Sequence, residues 1–265
     1  MIDANGDLRD LTSVIQDVHP RMLDDAELNY IRGLDVEVLP LVEDNPRIGP
    51  CINGVGKFVG VGLNYFDHVA EAGMATPEEP ILFMKAVSSI AGPDDPIVLP
   101  TGSVKTDWEA ELGVVIGSTV RNVPEQEALS LVAGYCTVND VSERAYQLEG
   151  TGQWLKGKSC DSFGPIGPWL VTRDEVEDPQ NLDLWLEVNG ERKQHGSTAK
   201  MIFSVAHLVS YISRFMTLYA GDIIATGTPR GVGMGQNPPQ YLKAGDSVSL
   251  EVAGLGLQRH LVVAS

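Results

Sequence analysis

The chain has 265 residues, of which 43% are hydrophobic, and its formal net charge is −17 at pH 7. This size supports one sizeable core and a small accessory domain, and the negative charge excludes nucleic acid and membrane surfaces as partners because it repels phosphate groups. A small anionic ligand is still allowed, since salt screens distant charges, but its site would need local cations.

The first part of the chain, 1–50, is predicted to form a small N-terminal domain. A helix is expected to begin after the N-cap candidate Asp24 and to end near Gly33, and a proline-rich join runs from Pro40 to Pro50. The start lacks the features of a signal peptide, and no segment has the apolar length of a membrane span. An odd number of cysteines without CxxC spacing favours reduced thiols and a cytoplasmic location: Cys51, Cys136 and Cys160.

The remaining chain, 51–265, is predicted to form one larger domain that is rich in strands. Strands are expected at 57–62, 96–100, 108–117, 135–139 and 223–225, with two more in 247–263, and helices at 64–72, 124–134, 141–148 and 205–218. The dipeptide Asn189-Gly190 between alternating runs predicts a β-hairpin. Strands and helices do not alternate regularly, which favours an α+β, β-rich fold with a mixed β-roll or barrel over a doubly wound sheet.

Three carboxylates are the most informative feature of the larger domain. Glu109 and Glu111 lie two residues apart in a predicted strand, so their side chains point to the same face, and a strand ending at Asp140 would bring a third carboxylate beside them. Alternating glutamates usually mark a solvated face. Here the strand continues as Val114-Val115-Ile116, which indicates burial on both faces. Because buried carboxylates must be paired or bound to metal, we predict a divalent-cation site.

A stretch from Gly152 to Ser159 formally satisfies the P-loop pattern, but we do not expect it to bind a nucleotide. The P-loop works only between a buried strand and a helix. The preceding residues are polar and helix-like, and the glycines and prolines in 160–169 forbid a following helix. Without a helix N-terminus the phosphate cradle is missing.

Five segments run in a characteristic order: Gly62 to Glu71, Asp107 to Gly113, Val138 to Arg144, Lys156 to Pro165 and Thr226 to Gly233. Together they resemble the fumarylacetoacetate hydrolase family, from Lys57 to the C-terminus. The likeness is greatest to bacterial members that hydrolyse 2,4-diketo-3-deoxy sugar acids such as the rhamnonate and fuconate derivatives. It implies the family's β-roll and a homodimer or homotetramer. Relatives begin with a further strand and turn, so the N-terminal domain is expected to lack an element.

The resemblance implies that three carboxylates are metal ligands: Glu109, Glu111 and Asp140. The ion would be Mg²⁺ or Mn²⁺, because all three donors are oxygen. Lys158 would lie at the metal site, neutralise the anionic substrate and polarise a carbonyl, although its sequence alone is equally that of an exposed loop lysine.

The resemblance also implies that His68 is the general base and that Glu71 orients its imidazole. From the residues alone, this pair at i and i+3 on a helix is equally an ordinary surface pair. Four further residues would bind substrate: Lys85, Arg144, Gln147 and Thr228.

Two of these features have a simpler interpretation as well. Arg144 could pair with Glu143 or Glu149 rather than with substrate. The loop 226–235 could be a plain connection, or its glycines could let backbone N–H groups approach a carboxylate closely.

The predicted reaction is metal-assisted hydrolysis of a carbon–carbon bond in a 2,4-diketo acid. Water activated by His68 attacks the C4 carbonyl, and the C3–C4 bond breaks to expel pyruvate enolate, whose charge the cation and Lys158 would stabilise. Two alternatives stay open: isomerisation or decarboxylation of a 2-oxo or 2-hydroxydienoic diacid of aromatic catabolism, and a metal-stabilised binding protein without catalysis.

Overall fold

The computed structural model describes residues 1–43 and 46–265, so two positions of the predicted proline-rich join lie outside the described residues. The architecture is β-rich with few helices. Its largest sheet has seven strands in the order β2-β1-β12-β6-β7-β9-β3. These strands are β1 Phe58–Gly62, β2 Ile81–Lys85, β3 Ile90–Ala91, β6 Ala110–Ile116, β7 Val132–Asn139, β9 Gly164–Thr172 and β12 Ile223–Ala225.

A second sheet has five strands in the order β11-β10-β13-β14-β4, and β5 pairs with β8 as a two-stranded ribbon. These strands are β4 Ile97–Leu99, β5 Thr106–Asp107, β8 Ser142–Glu143, β10 Asp183–Val188, β11 Glu191–Ser197, β13 Ser247–Val252 and β14 Leu257–Ala264. Most strand pairs are antiparallel, but β1 and β12, β3 and β9, and β4 and β14 are parallel, so the sheets are mixed as the sequence predicts.

The described helices are short and lie outside the sheets. They are α1 Asp25–Arg32, α2 Phe66–Glu71, α3 Glu125–Ala128, α4 Arg144–Leu148, α5 Trp154–Lys158 and α6 Val205–Ser213. Single 3₁₀ turns lie at Pro20–Met22, Val36–Val38, Val87–Ser89, Leu129–Leu131, Thr198–Lys200 and Gly233–Gly235. No helix in the described part of the chain combines the length and the hydrophobicity that crossing a bilayer requires.

The two large sheets enclose the main core. Alternate residues of β6, such as Leu112 and Val114, join Leu186 and Leu250 of the five-stranded sheet in one buried cluster. The opposite face of the seven-stranded sheet is covered in part by Leu23 from the N-terminal region. Because β6 lies between β12 and β7 with both faces covered, all seven of its residues are buried, as its apolar run predicts.

Several predicted elements are confirmed. Asp24 caps α1 by accepting from the backbone N–H of Glu27, and Asn189 and Gly190 form the turn between β10 and β11 with φ of 54° and 76°. The rejection of a P-loop is also confirmed, since α4 precedes the stretch and β9 follows it. The division at residue 50 stays a prediction.

Four predicted helices are too long, and the one predicted at 64–72 covers only Phe66–Glu71. The helix predicted at 124–134 ends at residue 128, because Val132 already belongs to β7, which pairs with strands on both sides. The helix predicted at 141–148 begins only at Arg144, since Ser142 pairs with β5. The helix predicted at 205–218 ends at Ser213, and the chain then turns to form a bridge between Leu218 and Val120.

Candidate metal and active site

Glu109, Glu111 and Asp140 meet where two neighbouring strands of the seven-stranded sheet begin and end. Ala110, the first residue of β6, pairs with Asn139, the last residue of β7, so the residues just beyond these ends lie side by side. The backbone N–H of Asp140 donates to the carbonyl of Glu109 at 2.9 Å. One carboxylate oxygen from each of the three acids lies within 4.8 Å of the others, and all three side chains are buried.

Lys158 joins two of these acids. Its Nζ donates to Oε2 of Glu109 and to Oδ2 of Asp140, each at 2.7 Å, and the side chain is buried at the end of α5. Burial would lower the pKa of Lys158, but the charges of Asp140 and Glu109 outweigh it and raise that pKa. The ammonium group is therefore charged, and the interpretation of Lys158 as an exposed loop lysine is wrong.

Arg144 holds the other oxygen of Glu109. Its Nη2 donates to Oε1 of Glu109 at 2.6 Å, its Nε to Oδ2 of Asp107 at 2.8 Å, and its Nη1 to Oε1 of Gln147 at 2.9 Å. Burial opposes the charge of Glu109, but the nearby Lys158 and Arg144 lower the pKa of that carboxyl. The alternative pairing of Arg144 with Glu143 or Glu149 is wrong, since Arg144 turns inward to the site.

Lys85 lies beneath Asp140 rather than in the open part of the site. Its Nζ donates to Oδ1 of Asp140 at 2.6 Å and to the backbone carbonyls of Val141 and Lys158 at 3.3 and 2.5 Å. These contacts use all three donor protons of the ammonium group. The geometry therefore supports a role for Lys85 in holding Asp140. Lys85 has no free N–H donor left for the predicted contact with substrate.

Glu111 is the acid without a cation of its own. Its Oε2 accepts from the backbone N–H of Gly227 at 2.8 Å, and among residues 1–43 and 46–265 it forms no ion pair. Burial, followed by the charges of Asp140 and Glu109, raises the pKa of Glu111 well above its usual range. An added cation beside Glu111 would offset both the cost of burying its charge and the repulsion from Asp140 and Glu109.

The donor set fits a hard divalent cation. Four buried acids, Asp107 and the three clustered carboxylates, face three buried cations, Lys85, Arg144 and Lys158, so Glu111 is left without a cationic partner. A carboxylate oxygen has two lone pairs, so oxygens that already accept from a lysine can still coordinate an ion. Oxygen donors of this kind suit Mg²⁺ or Mn²⁺.

The glycine-rich loop 226–235 is anchored by carboxylates of the protein itself. Glu71 accepts from the backbone N–H of Gly231 at 2.9 Å, and Asp107 accepts from those of Gly233 and Met234 at 2.6 and 3.0 Å. A Cβ at Gly233 would lie 2.7 Å from Oδ1 of Asp107, so a larger residue would push the carboxylate away. The N–H groups do approach carboxylates closely, but these belong to side chains and not to a substrate.

His68 of α2 lines a cavity together with Glu109 and Glu111, and Glu71 lies beside it on the same helix. Nδ1 of His68 lies 3.3 Å from Oε2 of Glu71, and both side chains are largely buried. A proton on Nδ1 would be shared with Glu71, and Nε2 has no hydrogen-bond partner within the described residues. This arrangement leaves Nε2 free to accept a proton, and the interpretation as an ordinary surface pair is wrong.

The cavity between these groups has a volume of about 110 Å³. Its polar lining includes seven of the ten predicted site residues: His68, Glu109, Glu111, Arg144, Gln147, Lys158 and Thr228. Thr228 Oγ1 donates to the carbonyl of Ala110 at 2.9 Å and accepts from Gln194. A larger cavity of about 730 Å³ lies elsewhere and contains none of the three carboxylates. The site is therefore identified by the polar groups that meet in the smaller cavity and not by cavity size.

Two residues at the site were not singled out in the sequence. Asp107 links Arg144 to the glycine-rich loop, and Gln194 of β11 accepts from the backbone N–H of Ala110 at 2.9 Å and donates to Thr228 at 2.8 Å. Asp107 stands beside Glu109 in the same acidic run, which was a usable signal. Gln194 comes from the other sheet, and nothing in its local sequence points to the site.

The chain is similar to known proteins over most of its length. The family profile described as fumarylacetoacetate (FAA) hydrolase C-terminal matches residues 57–263. A provisionally named hydrolase of Burkholderia ambifaria is 61% identical over 259 residues, which are 97% of this chain and 92% of that protein. The structure of this chain resembles the solved structures of two differently named enzymes.

The first is a fumarylacetoacetate hydrolase from Exiguobacterium antarcticum, with a TM-score of 0.86 and 37% identity, covering all of this chain and 94% of the other. The second is a 2-hydroxyhepta-2,4-diene-1,7-dioate isomerase from Mycobacterium marinum, with a TM-score of 0.70 and 40% identity, covering 80% of this chain and 75% of the other. Similar chains thus bear both hydrolase and isomerase names.

Proposed function

The chain belongs to the fumarylacetoacetate hydrolase family, and we propose that it is a metal-dependent enzyme that hydrolyses a carbon–carbon bond of a 2,4-diketo acid, releasing pyruvate and a second acid. One observation carries the proposal: Glu109 and Glu111 of the buried carboxylate cluster, in which Glu111 has no cationic partner, line a cavity together with His68 and Lys158.

In this proposal, Glu109, Glu111 and Asp140 would hold Mg²⁺ or Mn²⁺. A bound ion of this kind supplies Lewis acidity toward the substrate's anionic oxygens. Lys85 and Arg144 hold Asp140 and Glu109 in place from behind, through the oxygens that face away from Lys158. Such supporting contacts fix the orientation of ligand side chains.

His68 is the proposed general base. With Nδ1–H held by Glu71, Nε2 takes a proton from water, and the water oxygen adds to the C4 carbonyl of the substrate. The C3–C4 bond then breaks, its electron pair remains on C3 as pyruvate enolate, and protonation of C3 by the histidinium completes the cycle. Glu71 stabilises the charged imidazole between these steps.

Lys158 is proposed to stabilise the negative charge that develops on the pyruvate portion. Its ammonium group is already desolvated and held by two carboxylates, so little reorganisation is needed when the enolate forms. Gln147 and Thr228 line the same cavity and are proposed to contact substrate oxygens.

Finer features of the proposal rest on sequence resemblance. The segments shared with sugar-acid hydrolases make 2,4-diketo-3-deoxy-L-rhamnonate and -fuconate candidate substrates. The same resemblance suggests a homodimer or homotetramer, and the cysteine pattern suggests a cytoplasmic location.

The experiment is a pyruvate-release assay on a panel of acylpyruvates and diketo-deoxy sugar acids, with Mg²⁺, with Mn²⁺ and with a chelator. We expect release that depends on the metal and is lost in Glu111→Gln. The matched control is Glu127→Gln, since Glu127 is an exposed glutamate on α3. Release that ignores both the chelator and Glu111→Gln would refute the assignment.

A second candidate is isomerisation or decarboxylation of a diacid, because structural neighbours carry isomerase names. It predicts a metal-dependent change of the substrate without pyruvate and without a need for His68. Monitoring 2-hydroxydienoic diacids by ultraviolet absorbance, with wild type and His68→Ala, separates the two activities.

A further inference from the structure

Gln194 is a buried amide that the five-stranded sheet places behind the carboxylate cluster. Its side chain is fully buried, and it is not among the residues that line the cavity. Because a buried amide is stable only when its N–H and C=O groups are paired, the partners of Gln194 show what it holds in place.

A β-bulge in β11 turns Gln194 inward. Consecutive residues of β10 pair with Arg192 and Gln194, so Lys193 is an extra residue without a partner on β10. In a regular strand, residues two apart point to the same face. Here the side chain of Arg192 is 45% exposed while Gln194 is fully buried, because the extra residue reverses the alternation. The bulge therefore directs a polar side chain toward β6.

The hydrogen bonds of Gln194 form a closed ring with Ala110 and Thr228. The backbone N–H of Ala110 donates to Oε1 of Gln194 at 2.9 Å. Nε2 of Gln194 donates to Oγ1 of Thr228 at 2.8 Å and to the carbonyl of Pro229 at 2.9 Å. Oγ1 of Thr228 donates in turn to the carbonyl of Ala110 at 2.9 Å. The orientation of the amide is fixed, since a backbone N–H can only donate and a carbonyl can only accept.

Ala110 separates the two glutamates of the carboxylate cluster. In the described part of the chain, β12 pairs with β6 only as far as Gly113. The amide of Gln194 and the hydroxyl of Thr228 therefore take the place of a strand partner for Ala110. A shift of Ala110 would move both glutamates, because it is bonded to each of them.

The same ring also reaches the side chain of Glu111. The backbone N–H of Gly227, which precedes Thr228 in the chain, donates to Oε2 of Glu111 at 2.8 Å. Gln194 holds Thr228 and Pro229 in place, so it also fixes the N–H group that orients this carboxylate.

From these contacts we propose that Gln194 is a positioning residue for the divalent-cation site. It lies outside the cavity and acts by fixing the separation of Glu109 and Glu111. The inference rests on the proposed metal-dependent function, and it goes further because it assigns part of the metal affinity to a side chain from the other sheet. Contacts behind metal ligands raise affinity by holding the ligands in the geometry that the ion requires.

Gln194→Met removes the amide and keeps the approximate size of the side chain. We expect it to raise the Kd of Mg²⁺ by about 10-fold to 100-fold, as changes behind metal ligands do. Ca²⁺ tolerates irregular coordination better than Mg²⁺, so the preference for Mg²⁺ over Ca²⁺ should fall by at least about 5-fold. Titration calorimetry with magnesium chloride and with calcium chloride, without substrate, measures both constants.

Gln258→Met is the matched control. Gln258 lies on β14 of the same sheet, is fully buried and makes three hydrogen bonds through its amide, to the carbonyls of Thr137 and Gly167 and with Nε2 of His260. None of these partners is one of the three clustered carboxylates. Both variants should lower the metal-free Tm to a similar extent, but only Gln194→Met should change the Kd of Mg²⁺.

Thr228→Val tests the same ring if Gln194→Met does not fold. It removes the hydroxyl that joins Gln194 to the carbonyl of Ala110 and leaves the other two hydrogen bonds of the amide. It should raise the Kd of Mg²⁺ by about 10-fold. In the double variant the two effects should be less than additive, because both changes break one ring.

The outcomes separate this inference from the proposed function. If the wild-type protein binds Mg²⁺ but cleaves no acid, hydrolysis is refuted, and the Kd values still decide the role of Gln194. An unchanged Kd in Gln194→Met or in Thr228→Val, or an equal loss in Gln258→Met, would overturn the positioning role while hydrolysis stands. Equal losses of Mg²⁺ and Ca²⁺ affinity would also overturn it. A wild-type protein that binds no Mg²⁺ would overturn both proposals.

Discussion

Two histidine–glutamate pairs in this protein have nearly the same geometry and very different surroundings. Nδ1 of His68 lies 3.3 Å from Glu71, and Nδ1 of His207 lies 3.1 Å from Glu125. The side chains of the first pair are 9% and 10% exposed, and those of the second are 37% and 49% exposed. By distance alone the exposed pair would be the better candidate for a base and its orienting acid.

The two pairs differ in the other contacts that each histidine and each glutamate makes. Glu71 is held by the backbone N–H of Gly231, and His68 lines the cavity that contains the carboxylate cluster. His207 instead lies between the rings of Phe203 and Tyr211, with centroids 5.4 and 5.9 Å away. A paired imidazole is therefore a candidate base only where its partner is fixed and its free nitrogen faces a reactive site.

The largest expected effect is on the buried histidine. His68→Ala should lower kcat for pyruvate release by about 10²-fold to 10⁴-fold, because it removes general-base catalysis. His207→Ala should leave kcat unchanged. Steady-state kinetics with Mg²⁺ present measures both, and equal losses in the two variants would end the distinction between the pairs.

The next effect concerns the cation that would occupy the cavity beside His68. Mg²⁺ at 100 times its Kd should stabilise the protein by about 2.7 kcal/mol and raise Tm, since it binds only the folded state. Glu111→Gln should abolish that shift while leaving the metal-free Tm close to wild type, because the amide oxygen can still accept from Gly227.

Scanning fluorimetry or calorimetry measures the shift, with Glu127→Gln as the control that should retain it. A full Mg²⁺ shift in Glu111→Gln would show that the ion binds elsewhere.

A smaller loss is expected when only the orienting acid is altered. Glu71→Gln keeps the shape but removes the charge that stabilises the protonated imidazole, so kcat should fall by about 10-fold to 100-fold, less than in His68→Ala. Glu125→Gln is the equivalent change in the exposed pair and should have no effect. A pH–rate profile should show the acidic limb, where protonation of the base removes activity, moved in Glu71→Gln, which a purely structural role would not cause.

The smallest effect is the energy of the exposed pair itself. A double-mutant cycle on His207 and Glu125, measured by urea unfolding at a pH where the histidine is protonated, should give a coupling of about 0.2–1 kcal/mol. Raising the salt concentration should weaken it. A coupling well above this range would mean that the pair is more than a solvent-screened contact.

Local features of the fold were predictable because they depend on neighbouring residues. The cap at Asp24 and the turn at Asn189-Gly190 follow from side-chain and backbone preferences within a few residues. The structure of the region after Pro124 was not predictable in this way. Its helical pattern ends at Val132, where a strand begins that pairs with β6 and β9. Pairing with distant strands overrides weak helix preferences there.

The candidate site shows the same division. The alternation of Glu109 and Glu111, with an apolar run behind them, was sufficient to predict a buried acidic cluster with Asp140, and the structure places the three together. The sequence did not show which side chains pair with that cluster. Arg144 was expected near substrate or a neighbouring glutamate, and Asp107 had no assigned role, yet the two join and connect the cluster to the glycine-rich loop.

The amino-acid sequence by itself determined the strand periodicity, the caps and turns, and the order of the motifs, because each depends on short-range geometry. Tertiary structure decided which cations neutralise which acids and which carboxylates hold the loop. These depend on side chains brought together from distant segments, and their free energies come from burial and charge pairing that exist only once the sheets have packed.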